Sequence, residues 1–314
     1  DLMFARDIID LTEGRPGYPF ERVLGLFSGA DLLIGNFEGT FTERGVALDK
    51  TYTFRAPPDR VASIKGAGFA AVSLGNNHVG DFGRASVEDT LAALDGAGIA
   101  HAGAGLDATA ARKVALLRTP QQDFPVVDGA GRLRGDVIPR GTVAFLSYSG
   151  VPDSAFAGDT RAGVAQAVID DMREDVLAVR AHADFVVVAL HAGIEYTREP
   201  TAFQREFDRA AIDAGARLVI GHHPHVLQGW ERYHDGVILY SLGNFVFDLE
   251  QGDMDMLGRG PFQTGVAVVT LRSDGAPLVE FRPAFIDVDE NRPRPATEDE
   301  TPGILAAFRD LTER

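Results

Sequence analysis

The sequence predicts a layered α/β fold with antiparallel hairpins in its C-terminal third. Three features point to it. Short apolar runs alternate with amphipathic stretches over roughly the first two thirds of the chain, polar clusters follow the ends of several apolar runs, and beyond residue 226 paired apolar runs flank Gly-containing turns.

In chain order, residues 31–35 read as a strand, 58–67 as a helix with Pro57 and Pro58 at its start, and 69–74 as a strand. Residues 84–97 read as a helix in which Leu91, Leu94 and Ala97 mark one face and Gly98 gives the stop. TVAFLSYS at 142–149, FVVVAL at 185–190 and RLVIG at 217–221 continue the strands, with helices expected near 165–182 and 201–214. One hairpin is expected around Asp235-Gly236 and a second around Ser273-Asp274-Gly275. Residues 120–141, rich in Gly and Pro, read as an irregular surface excursion. The acidic, Pro-containing stretch 288–303 precedes a short helix at about 304–312, so the chain divides into a body, 1–287, and a tail, 288–314. There is no internal repeat.

Composition narrows the function classes. With 45% hydrophobic and 24% charged residues the chain is globular and long enough to bury a large core. A net charge of −16 with no segregated basic patch argues against a nucleic-acid groove or an anionic membrane surface as partner. The basic residues are nearly all Arg, and Lys50, Lys65 and Lys113 read as background. Having no Cys, the chain excludes disulfides, thiolate catalysis and Cys-ligated metal sites. No apolar run reaches the length of a membrane-spanning helix. The chain starts at Asp1, a candidate site residue with no strand ahead of it, so further residues are expected upstream and the compartment stays open.

The run GHHPHV at 221–226 places His222, His223 and His225 within four positions directly after the apolar LVI. Imidazole is a general ligand for transition-metal ions, and carboxylates extend the choice to manganese and magnesium. Two further histidines follow apolar runs, His78 in SLGNNHVGDFG and His191 in ALHAGIEY, and Asn36 and Glu38 in GNFEGT follow ADLLI. Ligands of α/β sheets collect at such carboxyl ends. His101, His182 and His234 lack this company and read as surface histidines.

The ordered series DLMFAR, GNFEGT, SLGNNHVGDFG, ALHAGIEY, GHHPHVLQG and YSLGNFVFD, from Asp1 to Asp248, resembles the CapA or PgsA family of capsule and poly-γ-glutamate biosynthesis, a branch of the calcineurin-like metallophosphoesterase superfamily. The resemblance implies a four-layer α/β/β/α sandwich of the metallophosphoesterase type with two divalent metal ions (Mn, Zn or Fe) at the carboxyl edge. It implies Asp1 as a ligand of one ion, Glu38 as the bridging carboxylate, Asn77, His191 and His223 on the second ion, and His225 on the first. It also implies that His78 faces the pocket as a substrate contact or proton donor. The superfamily's usual His two residues after the first Asp is Met3 here, a soft thioether, so the ion near Asp1 is expected to be the weaker. His222 could compensate, although on an extended backbone its side chain points away from that of His223.

Arg6 is read either as a holder of an anionic substrate group or as a surface ion-pair residue. Glu195 and Tyr196 are candidate outer groups for His191, and Asp81 a candidate orienting group for His78. Ser241 and Asn244 either take part in the site or build a turn. Two functions follow from this reading. One is a dinuclear-metal-dependent hydrolase of a phosphoester or of a carboxylate-rich, γ-glutamyl-type amide, acting on a small molecule or an anionic polymer. The other is a non-catalytic component of capsule or poly-γ-glutamate synthesis or export with envelope-complex partners. The family suggests an extracytoplasmic or membrane-associated location, and a cytoplasmic one is compatible with the same residues.

Overall fold

The computed structural model describes residues 1–119, 126–127, 133–134 and 141–312. Its central sheet has six strands in the order Trp230–Tyr233, Gly236–Leu239, Leu218–His222, Phe185–His191, Thr142–Ser149 and Ala115–Arg118. The four inner strands are parallel and the two edge strands antiparallel to their neighbours. A smaller parallel sheet holds Ile34–Asn36, Ala71–Ser73 and Ala100–Ala102.

Alternation within single strands shows why the sheets stack. In Thr142–Ser149, Val143 and Phe145 join one apolar cluster while Ala144 and Leu146 join another. Phe185–His191 does the same, with Val187 and Ala189 in the first and Val186, Val188 and Leu190 in the second. Period-two alternation sends neighbouring side chains to opposite faces, so a strand apolar at every position must be covered on both. The first cluster lies between the sheets and includes Ala71 and Ala102 of the smaller one; the second lies under helices Ile169–Val179 and Ala202–Ala214. A third cluster joins Val72 and Leu74 to Ile64 and Leu94 of helices Val61–Ala67 and Arg84–Ala97. Three clusters separate four layers, helix, sheet, sheet and helix.

The helix Arg84–Ala97 has the expected bounds and stops at Gly98, whose φ of 67° supplies the left-handed cap. Pro58–Arg60 is a 3-10 turn ahead of Val61–Ala67, where one continuous helix was expected. The strand Ala115–Arg118 was not foreseen, since its ALLR carries no two-residue alternation. The first expected hairpin does not stand apart: Gly236–Leu239 pairs parallel with Leu218–His222 and so extends the central sheet. The second forms Gln263–Thr270 and Leu278–Asp287, to which Arg292–Pro295 adds a strand. The last helix is Thr301–Ala307, earlier than 304–312, because Pro302 suits a first turn; Ile304, Ala307 and Phe308 are buried in the inter-sheet cluster. The stretch 120–141 lies almost wholly outside the described residues. A cavity of about 350 Å3 opens between the sheets, with an apolar lining that ends at Asp1, Asn36 and His222. Among the described residues no helix is long and apolar enough to cross a membrane.

Phe145 is fully buried at the centre of the inter-sheet layer. Phe145→Ala is expected to destabilise the chain by about 3–5 kcal/mol, read from the midpoint of urea unfolding.

Candidate metal centre

Parallel strands deliver their carboxyl ends to one edge. Asn36 ends Ile34–Asn36 with Glu38 just beyond, Asn77 and His78 follow Ala71–Ser73, and His191 and His222 end adjacent strands as register partners. Residues 1–3 hold their place without a named strand. The Leu2 N–H donates to Asn36 O, the Glu38 N–H to Leu2 O, and the Met3 N–H to Val246 O, setting Asp1 beside Glu38. Gly221 is required for close approach, because a Cβ there would lie 2.0 Å from Tyr240 O. Beyond His222 the backbone leaves the extended region, with φ of 98° at His223 and 56° at His225.

The structure brings Asp1, Glu38, Asn77, His78, His191, His222, His223 and His225 together, all of them buried. Glu38 Oε1 is the hub, 3.6 Å from His225 Nε2, 3.8 Å from His191 Nε2 and 3.9 Å from His78 Nε2. His191 Nε2 lies 2.9 Å from Asn77 Oδ1, and the His191 and His223 rings are 4.9 Å apart. Asp1 meets His225 Nδ1 at 3.5 Å through Oδ2 and His222 Nδ1 at 3.1 Å through Oδ1. His222 thus reaches Asp1 from the side of the inter-sheet cavity, while His223 sits beside His191.

An outer ring fixes these groups. Asn36 donates to Asp1 Oδ1 and lies 3.3 Å from His191 Nδ1, and Asn76 donates to Asn36 Oδ1 and Phe37 O. His78 donates from Nδ1 to Asp81 Oδ2 at 2.8 Å, which leaves Nε2 toward the pocket and the Asn77 amide. Asp81 is fully buried behind His78, so it positions that ring and does not face the mouth. Lys50 donates to Asn77 O at 2.6 Å and to Asp81 at 3.0 Å, and Asp153 lies 3.3 Å away. Lys50, Asn76 and the role of Asn36 escaped the sequence reading. The scarcity of Lys in an Arg-rich chain was the one available signal for Lys50, and it was read as background.

Several candidates are placed differently. Met3 is buried in the inter-sheet cluster with its Sδ accepting the Ala5 N–H, so it faces away from the edge. Both ring nitrogens of His191 already face Asn36 and Asn77, and Gly193, at φ 127°, turns the chain past it. Glu195 therefore comes beside His223 and His225 instead, and the Tyr196 N–H donates to Pro224 O with its ring near His225. Ser241 builds the turn by donating to Val226 O, whereas Asn244 accepts from His225 Nδ1 at 2.8 Å. Arg6 is exposed, its guanidinium 5.2 Å from the Phe54 ring, which packs at 4.2 Å on His78; among the described residues no carboxylate pairs with it. His101 and His234 lie away from the cluster beside Asp95 and Asp213.

The residues fit a cation. Asp1 Oδ2, both Glu38 oxygens, His222 Nδ1 and His223 Nδ1 are buried with no hydrogen-bond partner. The short His222–Asp1 distance lacks hydrogen-bond alignment, as ligands of one centre commonly do. A buried carboxylate without a partner costs several kcal/mol. Burial accordingly pushes Glu38 up to about 8 and the His223 and His225 rings down to about 3 and about 4. Two overlapping groups could hold an ion: Asp1, Glu38 and His225, and Glu195, His223 and His225.

Four layers with a buried carboxylate and imidazole cluster at the carboxyl edge define a two-sheet α/β sandwich with a candidate metal centre at that edge. The family described as bacterial capsule synthesis protein PGA_cap matches residues 1–249, and the chain belongs to it. The PGA biosynthesis protein CapA of Bacillus subtilis (strain 168) is 31% identical over 303 residues, covering 95% of this chain and 73% of that protein. The capsule biosynthesis protein CapA of Bacillus anthracis is 30% identical over 312 residues, covering 95% and 68%. Among solved structures, the NAD nucleotidase of Haemophilus influenzae aligns with a TM-score of 0.44 at 11% identity, over 81% of this chain and 44% of that one, too distant to carry an argument.

Lys50→Met leaves Asp81 buried without its cation and is expected to cost about 3–5 kcal/mol, with Lys50→Met/Asp81→Asn recovering part of it in a denaturation cycle. In chelator the pH dependence has two limbs. His223 and His225 lie below their usual 6.5, so their contribution is full above pH 6.5 and is lost as pH falls through about 4 and 3. Glu38 lies above its usual 4.5, so its contribution is present below pH 4.5 and lost as pH rises through about 8. Over pH 4 to 6.5 the histidines outweigh the single carboxylate, so unfolding midpoints in chelator should rise across that range; midpoints that fall from pH 4 to 6.5 would contradict these assignments.

Proposed function

We propose that this chain is a metal-dependent hydrolase of capsule or poly-γ-glutamate biosynthesis, acting on a phosphoester or a carboxylate-rich, γ-glutamyl-type amide. One observation carries the reading: carboxylate and imidazole atoms with no partner are buried together at one edge, where a bound cation would satisfy them jointly. When bound, a pair of divalent ions supplies Lewis-acid polarisation of the scissile group and charge for the developing oxyanion.

The chain's own residues do the rest. Glu38, facing His78, His191 and His225, would stand between two ions, with Asp1 and His225 able to hold one and Asn77, His191 and His223 the other. Asp81 holds His78 so that Nε2 faces the pocket, where it can carry a proton to the leaving group. Lys50, through Asn77 O and Asp81, keeps the Asn77 to His78 segment in place. Arg6 stands one ring beyond His78, able to hold an anionic substrate group.

The two Bacillus relatives carry biosynthesis names, which favours a second reading in which the same centre is structural within a synthesis or export complex. Two variants separate the readings. For a hydrolase, His78→Ala lowers turnover by roughly 10²–10⁴ and leaves metal content nearly unchanged, while Glu38→Ala loses both metal and turnover. For a structural centre, Glu38→Ala destabilises the fold and His78→Ala changes no hydrolytic rate. If wild type shows no metal-dependent turnover across phosphoester and γ-glutamyl substrates, the hydrolase reading falls.

A further inference from the structure

Glu195 has no counterpart in the ligand set carried by the motifs, and the structure puts it at the mouth of the centre. Its carboxylate belongs to a group whose ligand atoms, with those of His223 and His225, all lie within 4.8 Å of one another. Glu38 is fully buried on the floor of the same cluster, whereas Glu195 is exposed, so the two carboxylates approach the histidines from protein and solvent respectively. Two ligands of one ion, each ~2.1 Å from it, stand at most about 4.2 Å apart. Any gap to be closed is at most about 0.6 Å, within reach of an exposed glutamate rotating about its side-chain bonds.

Two further observations point to a ligand. His223 Nδ1 is buried with no hydrogen-bond partner. The Glu195 loop is anchored to the histidine turn, since the Tyr196 N–H donates to Pro224 O at 2.8 Å and Tyr196 holds φ 58°, a conformation a free loop would not adopt. Meanwhile Met3 is withdrawn into the apolar layer, leaving the edge one donor short.

We propose that Glu195 is a metal ligand, closing the solvent side of the ion pair across His223 and His225 and supplying a donor that Met3 does not. A carboxylate suits manganese or another oxygen-preferring divalent ion better than the thioether it offsets. Because it lies on the solvent side, it is also the ligand that an incoming substrate oxygen would displace.

This inference rests on the divalent-ion reading, and the test separates the two. Mn2+ is titrated into the chelator-treated chain by equilibrium dialysis with metal analysis, for wild type, Glu195→Gln, Glu195→Asp and Glu38→Gln, with the Mn2+ electron paramagnetic resonance spectrum recorded at saturation. Glu195→Gln is expected to weaken one Mn2+ by at least about 10-fold and to alter the spectrum, Glu195→Asp to fall between, and metal-free melting to stay unchanged because the side chain is exposed. If Glu195→Gln binds Mn2+ as wild type does while Glu38→Gln does not, Glu195 is not a ligand and the divalent-ion reading stands. If wild type takes up no Mn2+, both readings fall.

Discussion

The structure turns on one unfavourable burial. Glu38 is fully enclosed, neither oxygen accepts a hydrogen bond, and three imidazoles face one of those oxygens at 3.6–3.9 Å. In a low-dielectric interior such a carboxylate is either protonated or paired with a cation, and the surrounding rings are themselves held neutral by burial. A proton on Glu38 and a bound cation would therefore compete for the same place, and binding of an ion there would be linked to proton release and to stability.

The rest of the molecule can be understood as the support for that burial. Two sheets supply parallel carboxyl ends, and the apolar layers on either side of the central sheet keep those ends in fixed register. Left-handed backbone at His223 and His225, of order 1–3 kcal/mol each for residues other than glycine, turns successive histidines toward groups that an extended strand would not reach. That strain persists because Asn244 holds the His225 ring and backbone, and Ser241 and Gly221 fix the neighbouring turn.

Around the cluster the polar contacts are layered by depth. Asn36 and Asn76 tie Asp1 to the smaller sheet, Lys50 and Asp81 back the His78 side, and the mouth carries Arg6 and Glu195 with opposite charges.

Much of this could be read from the sequence, for a physical reason. Apolar runs ending in Asn, Glu or His report strands and their carboxyl ends together, so the main strands and helices and the positions of Glu38, Asn77, His78, His191, His223 and His225 were legible from local pattern and motif. Direction was legible only in part. The divergence of His222 and His223 followed from strand alternation, but whether Glu195 serves His191 or the histidine turn, and whether Met3 faces ions or core, depend on backbone angles set by Gly193, Pro224 and the packing of two sheets. Lys50 was equally invisible, because its partners, Asn77 and Asp81, lie 27 and 31 residues away and no periodicity links them. The sequence alone determined which residues could meet at the edge; tertiary packing decided which atom faced which, since burial leaves each polar group only the partners that the surrounding layers bring within reach.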